Sequence, residues 1–157
     1  MRAHRSTLRL LRVDDTAADD AWWVLTRLQH DIATELDEVL VRGHGLSLSW
    51  LEVLRAIATG AKPSRVLDIS AAVALSASRV CRVLHTMEER GLVIRTSSPS
   101  DARATEVRLT EEGVELRRRA QEDFASALRR ALTSRLSADD VQALSDVGRR
   151  AATAART

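Results

Sequence analysis

Two hydroxyls and two guanidiniums crowd the start of one short segment. They are Ser76, Ser78, Arg79 and Arg82, in the run SASRVCRVLHTMEERG. Short hydroxyls let a helix approach a sugar-phosphate backbone closely. Arginines at that distance reach phosphates, or pair bidentately with a guanine edge. Val80, Val83, Leu84 and Met87 recur at helical spacing on one face and should pack inward, with the polar set toward the other face and the N-terminal end. An ordinary amphipathic helix with a solvated basic face is the competing reading.

The residues that follow favour the first reading. Two β-like runs, Leu92 to Thr96 and Thr105 to Leu109, are joined by the polar loop Ser97 to Ala104, where Pro99 restricts the turn. A recognition helix followed by a wing is a device for reading duplex DNA. Arg103 is expected near the wing tip. Asp101 is not attracted to phosphate, so its expected task is to hold a nearby arginine by a charge-assisted hydrogen bond. Arg65 and Lys62 flank the loop before the preceding helix, and Arg95 lies on the first wing strand. Each is a candidate phosphate contact, and for each a solvated surface charge is the equal alternative.

Helix, Glu89-Arg90-Gly91-Leu92-Val93, Arg95, Asp101-x-Arg103, then Leu109-Thr110-x-x-Gly113 is a long, ordered string. It resembles the signature of the multiple-antibiotic-resistance regulator (MarR) family, most strongly over residues 46 to 113. The resemblance implies a homodimeric, sequence-specific transcriptional regulator that represses from a pseudo-palindromic operator. It implies that Arg103 enters the minor groove, where a narrow A·T-rich segment concentrates negative potential. It also implies small aromatic effectors between the dimerisation helices and the winged module. Trp22, Trp23 and Trp50 fall on the first two helices and are candidates to stack on such a ligand. Interface or core packing is the alternative for these indoles. Two positions depart from the family pattern: Ala74 stands where glycine is common in the turn, and Leu67 where a Ser or Thr cap is usual. Peroxide-sensing members keep a reactive cysteine in the first helix with tyrosine partners. This chain has neither, and Cys81 reads as a half-buried structural residue beside the inward face of its helix.

The elements that must position these groups are helical. Leu25, Leu28, Ile32, Leu36, Val39 and Leu40 return at spacings of three and four and predict a helix over 16–42, begun by Asp15 or Thr16 and ended by Gly43 and Gly45. A second helix is expected over 48–59, capped by Ser47, with Ser49 and Glu52 as an alternative box. Gly60 to Ser64 reads as a loop, 67–73 as a short third helix, and Ser76 as the cap of a fourth ending at Gly91. From Thr110 the apolar positions Leu116, Ala120, Phe124 and Leu128 continue a helix, and Ser137 with Asp140 marks a fresh start. The fold class is therefore mainly α with a small β-wing: one domain over 1–157, with a winged helix-turn-helix over 47–110 between dimerisation helices at 16–45 and 111–155. The flanking stripes exceed what the small module covers, so pairing with a second copy is the economical solution.

Composition agrees with that organisation and narrows the function. The chain has 157 residues, 45% hydrophobic and 3% aromatic, so its core is mostly Leu, Val and Ala. Net charge is only +2, and the arginines at positions 65, 79, 82, 95 and 103 speak through their placement rather than their sum. A single cysteine excludes an intrachain disulfide and suits a reducing, cytoplasmic setting. No apolar run approaches the roughly 18 residues of a membrane span, and residues 1–13 lack a signal-peptide core. His4, His30, His44 and His85 show no metal-ligand spacing. No Ser/His/Asp set, paired carboxylates or phosphate-binding glycine loop stands out, so neither an enzyme nor a cofactor is expected. The reading from another class is a winged-helix protein-interaction module that has lost DNA binding. Basic residues at both helix and wing argue against it.

Overall fold

The computed structural model describes residues 15–60, 63–73, 75–98 and 101–154. They form α1 (Asp15–His44), α2 (Leu48–Thr59), β1 (Ser64–Arg65), α3 (Val66–Ala72), α4 (Ala77–Glu89), β2 (Val93–Ser98), β3 (Asp101–Leu109), α5 (Glu111–Thr133) and α6 (Ala138–Ala154). The chain divides into two compact units, Met1–Asp31 and Ile32–Thr157. In the first, Trp22, Trp23, Val24 and Leu25 of α1 are all exposed.

In the second unit, Leu40, Leu54, Val80, Leu84 and Met87 are buried completely, drawing α1, α2 and α4 onto one apolar centre with Ile69 of α3 and Val107 of β3. Leu116 and Ala120 bring α5 to the same core. Of these, Leu40, Leu54, Val80, Leu84, Met87, Leu116 and Ala120 are positions that helical spacing assigns inward. Ser47 caps α2, its hydroxyl accepting the Trp50 N–H at 3.4 Å, and Asp37 on α1 accepts the Leu48 N–H at 2.7 Å. Ser137 and Asp140 form the reciprocal capping pair expected of them at the start of α6. No residue of α6 is buried, and Leu144 and Val147 are exposed.

Three sequence expectations need correction here. Gly60 to Ser64 is not wholly a loop: Ser64 and Arg65 form β1, which pairs antiparallel with Val107 and Glu106 of β3. The sheet order is thus β1-β3-β2. Because Arg65 is held extended by that pairing, it becomes the N-cap of α3, which starts at Val66 rather than at 67. Arg65 makes no side-chain cap bond, so the carboxylate of Asp68 in the first turn is left to complement the helix dipole. The wing ladder also runs farther than the sequence suggests. Ser98 pairs with Asp101 beyond an irregularity at Ser97/Ser98, which places Asp101 and Arg103 in a strand instead of a loop. Lys62, Ala74 and Pro99 lie outside the described residues.

The string Glu89-Arg90-Gly91-Leu92 and the string Leu109-Thr110-x-x-Gly113 prove to be two halves of one joint. At the end of α4 the Gly91 N–H donates to Glu88 O and the Leu92 N–H donates to Met87 O, both at 2.9 Å. That is a Schellman motif, with Gly91 at φ +69° and the buried side chains of Leu92 and Met87 as its hydrophobic contact. Thr110 then closes α5 against it. Its N–H donates to Leu92 O at 3.1 Å, and its hydroxyl donates to Gly91 O at 2.7 Å while accepting the Gly113 N–H at 3.0 Å. Gly113 has no room for a side chain, since a Cβ there would lie 2.0 Å from Leu92 O.

Candidate nucleic-acid interface

The Schellman joint and the core fix α4 in place, and the helix shows its remaining face to solvent. Ser76 is the N-cap, its hydroxyl accepting the Arg79 N–H at 3.4 Å and lying 3.2 Å from Ser78 Oγ. Ser78, Arg79 and Arg82 are exposed. Neither guanidinium is paired with a carboxylate among the described residues, in contrast to Arg118 on α5, which bridges Glu115 and Glu122. The helix therefore offers two unneutralised cations and a short hydroxyl beside an N-terminus of favourable dipole. An anionic, close-fitting surface is what such a face attracts.

Of the other expected basic contacts, Arg65 is exposed at the junction of β1 and α3. Arg95 is different. Its guanidinium turns to Glu88 on the last turn of α4, with Nη1 3.7 Å from the carboxylate, and its backbone N–H donates to the same carboxylate at 3.3 Å. Its Nε is closed off from solvent without a partner among the described residues. Asp101 and Arg103 are placed on β3 by the ladder. Glu88 was not singled out from sequence, because nothing local marks a helix-terminal glutamate as a link to a strand.

Cys81 is exposed, against the half-buried expectation. A one-residue step turns a helix by about 100°, and that carries it away from the narrow stripe of Val80, Leu84 and Met87. Among the histidines, His44 meets Asp123 of α5 at 2.9 Å and His85 lies 3.5 Å from Glu89. The described residues assemble no group of three potential metal ligands. No helix among them is long and apolar enough to cross a membrane.

The tryptophans part company. Trp22 and Trp23 are about two-thirds exposed, at 64% and 65%. Trp50 is half-buried against the core, with the Arg90 guanidinium 5.1 Å over its ring and Arg90 Nη1 donating to Gly45 O at 2.9 Å. A separate cavity of about 370 Å³ opens between α2, β3 and α5. Ile57, Pro63, Val107, Leu109 and Val114 line it together with Arg108 and Arg117. The Nε of Arg117 is shut from solvent and has no hydrogen-bond partner among the described residues. Sequence reasoning missed these two arginines, since the strand and helix that carry them meet only in the fold.

A family model described as MarR family matches residues 44–104. No curated protein is significantly similar to the chain by sequence. Among solved structures, a Streptomyces coelicolor MarR family transcriptional regulator in complex with DNA is 25% identical, with a TM-score of 0.76 over 85% of each chain. AbsC, another MarR family regulator from that organism, is also 25% identical, with a TM-score of 0.76 over 92% of this chain and 97% of its own. CouR from Rhodococcus jostii RHA1, bound to p-coumaroyl-CoA, is 28% identical, with a TM-score of 0.70 over 83% of this chain and 90% of its own. The winged helix-turn-helix of this chain is a MarR family module, set in the fold of the MarR family transcriptional regulators.

Proposed function

We propose that this protein is a sequence-specific, DNA-binding repressor that acts as a homodimer and is released from its operator by a small aromatic ligand. The observation that carries the DNA reading is the solvent face of α4, where Ser78, Arg79 and Arg82 stand exposed and unneutralised. Val80, Leu84 and Met87 lock the opposite face. One recognition helix per protomer and two-fold symmetry call for a pseudo-palindrome with half-sites roughly one turn, about 10 bp, apart. Titration of genomic duplex fragments tests the reading. Binding should fall steeply between about 50 and 200 mM salt, because each arginine-phosphate contact releases counterions. An affinity indifferent to salt over that range would remove the basis for the proposal.

The dimer is supported by apolar surface left open in one protomer: Trp22, Trp23, Val24 and Leu25 on α1, and Leu144 and Val147 on α6. Obligate interfaces of this kind often bury about 2,000 Å² or more. Sedimentation should give a dimer at micromolar concentration, and a monomer there would count against it.

For the ligand, the cavity beside Arg108 and Arg117 suits an anionic aromatic: an apolar wall for the ring, guanidinium for the charge. CouR is bound to p-coumaroyl-CoA, an aromatic acyl thioester with a charged carrier. Trp22, Trp23 and Trp50 remain candidates to stack on a ligand in an assembled dimer, and quenching of their fluorescence on release from DNA would report it.

In the wing, Arg103→Ala should reduce affinity most on sites with an A·T-rich segment under the wing. Asp101 is a question of sign. Removing a negative charge near DNA should by charge alone tighten binding, whereas removing a group that orders the wing should weaken it. Weakening by Asp101→Ala is the expected result, and tighter binding would show that Asp101 does not order the wing.

A further inference from the structure

We infer that Glu88, acting through Arg95, sets the spacing between the recognition helix and the wing, and thereby the number of base pairs separating the two blocks of sequence this protein selects. The inference rests on the DNA-reading function proposed above. Glu88 sits on the last turn of α4 and reaches across the Arg90–Leu92 turn to β2. There it takes the Arg95 N–H at 3.3 Å and faces the Arg95 guanidinium at 3.7 Å. The turn it spans contains Gly91 at φ +69° and is closed at its base by Thr110, so Glu88 ties the hairpin to α4 beyond that joint.

The position of the bridge along the wing is informative. Arg95 pairs with Val107 on β3, and Val107 pairs on its other side with Ser64 of β1. One row of the sheet is therefore pinned at both edges: by β1 through the backbone ladder, and by α4 through Glu88. Only one further row, Thr96–Glu106–Arg65, has β1 beside it, and the pairs Ser97–Thr105 and Ser98–Asp101 extend from there without it. Without the Glu88 tie, the part of the hairpin beyond the Gly91–Thr110 joint is freer to bend relative to the recognition helix while the ladder stays whole. Both side chains are partly exposed, so the ion pair adds little to stability and its loss should not unfold the protein. Glu88 and Arg95 are positioning residues on this account. Arg95 contributes by holding the wing and not by touching phosphate.

The test is selection from a random duplex library, carried out in parallel with the wild-type dimer, E88A, E88Q and R95A. Thermal melts confirm that each variant is folded. Wild type should enrich one fixed separation between the block read by α4 and the A·T-rich block under the wing. E88A should also enrich separations one base pair longer or shorter, with the wild-type misspacing penalty falling by a factor of a few, as much as a partly exposed contact can supply. Base identity inside the α4 block should be unchanged. E88Q and R95A both keep the hydrogen bond from the residue-95 N–H and both lose the charge pairing, so each should relax the separation less than E88A does and to a similar extent. Unchanged spacing in E88A overturns the inference. So does an R95A that keeps the spacing but weakens all sites alike with a shallower salt dependence, which is the signature of a phosphate contact. Failure of wild type to enrich any sequence would instead sink the DNA-reading function itself.

Discussion

Arg79→Ala and Arg82→Ala are expected to weaken operator binding where Arg118→Ala does not. All three remove an exposed guanidinium, but only the first two remove one that faces outward from α4 without a carboxylate partner. Arg118 is engaged by Glu115 and Glu122 on its own helix, pairs worth a few tenths of a kcal/mol. If an α4 arginine grips a guanine edge, its loss should cost about 1–3 kcal/mol and relax sequence choice at one position. If it grips a phosphate, all sequences should weaken alike and the salt dependence should become shallower by about one counterion. Titrating each variant against the selected site and against mismatched sites separates the cases. Two α4 variants that bind as tightly as wild type would mean that the recognition face lies elsewhere.

Gly113→Ala should be the most damaging small substitution in the chain. The added methyl would lie 2.0 Å from Leu92 O, a backbone atom held by its own hydrogen bond from Thr110. Nothing there can swing aside as a flexible side chain would, so either α5 or the α4–β2 turn must move. A loss of about 3 kcal/mol or more is expected, at the top of the range for overpacking. Gly148→Ala is the matched control. It lies within α6 with nothing within 4 Å of the position a Cβ would take, and should stabilise by about 0.5–1 kcal/mol. Denaturant melts of the two variants give the comparison, and equal midpoints would contradict the steric account. Since Gly113 is joined through Thr110 to the turn that orients the wing, DNA binding by Gly113→Ala should fall even where the variant is still folded.

What the sequence reveals here is what neighbours in sequence decide. The Ser47 and Ser76 caps, the Ser137–Asp140 pair and the buried stripe of Val80, Leu84 and Met87 depend on spacings of three and four, and all appear as read. The two residues of β1 are different. Their conformation comes from Val107 and Glu106, more than forty positions later, and no local preference marks them. Arg95 reads as one more cation on a strand until Glu88 is found beside it. Arg108 and Arg117 share a cavity only once β3 and α5 meet. Gly113 is an intermediate case: its place in a motif is visible, but its reason, the carbonyl of Leu92, is not.

The hydroxyl and amide of Thr110 hold Gly91, Leu92 and Gly113 in a single closed ring of hydrogen bonds. In such a ring no member can open alone. The amide protons of Leu92, Thr110 and Gly113 should therefore exchange with solvent at one common rate, set by the release of α5 from the end of α4. Fraying of the proposed recognition helix is thus governed from the first turn of the helix that follows the wing.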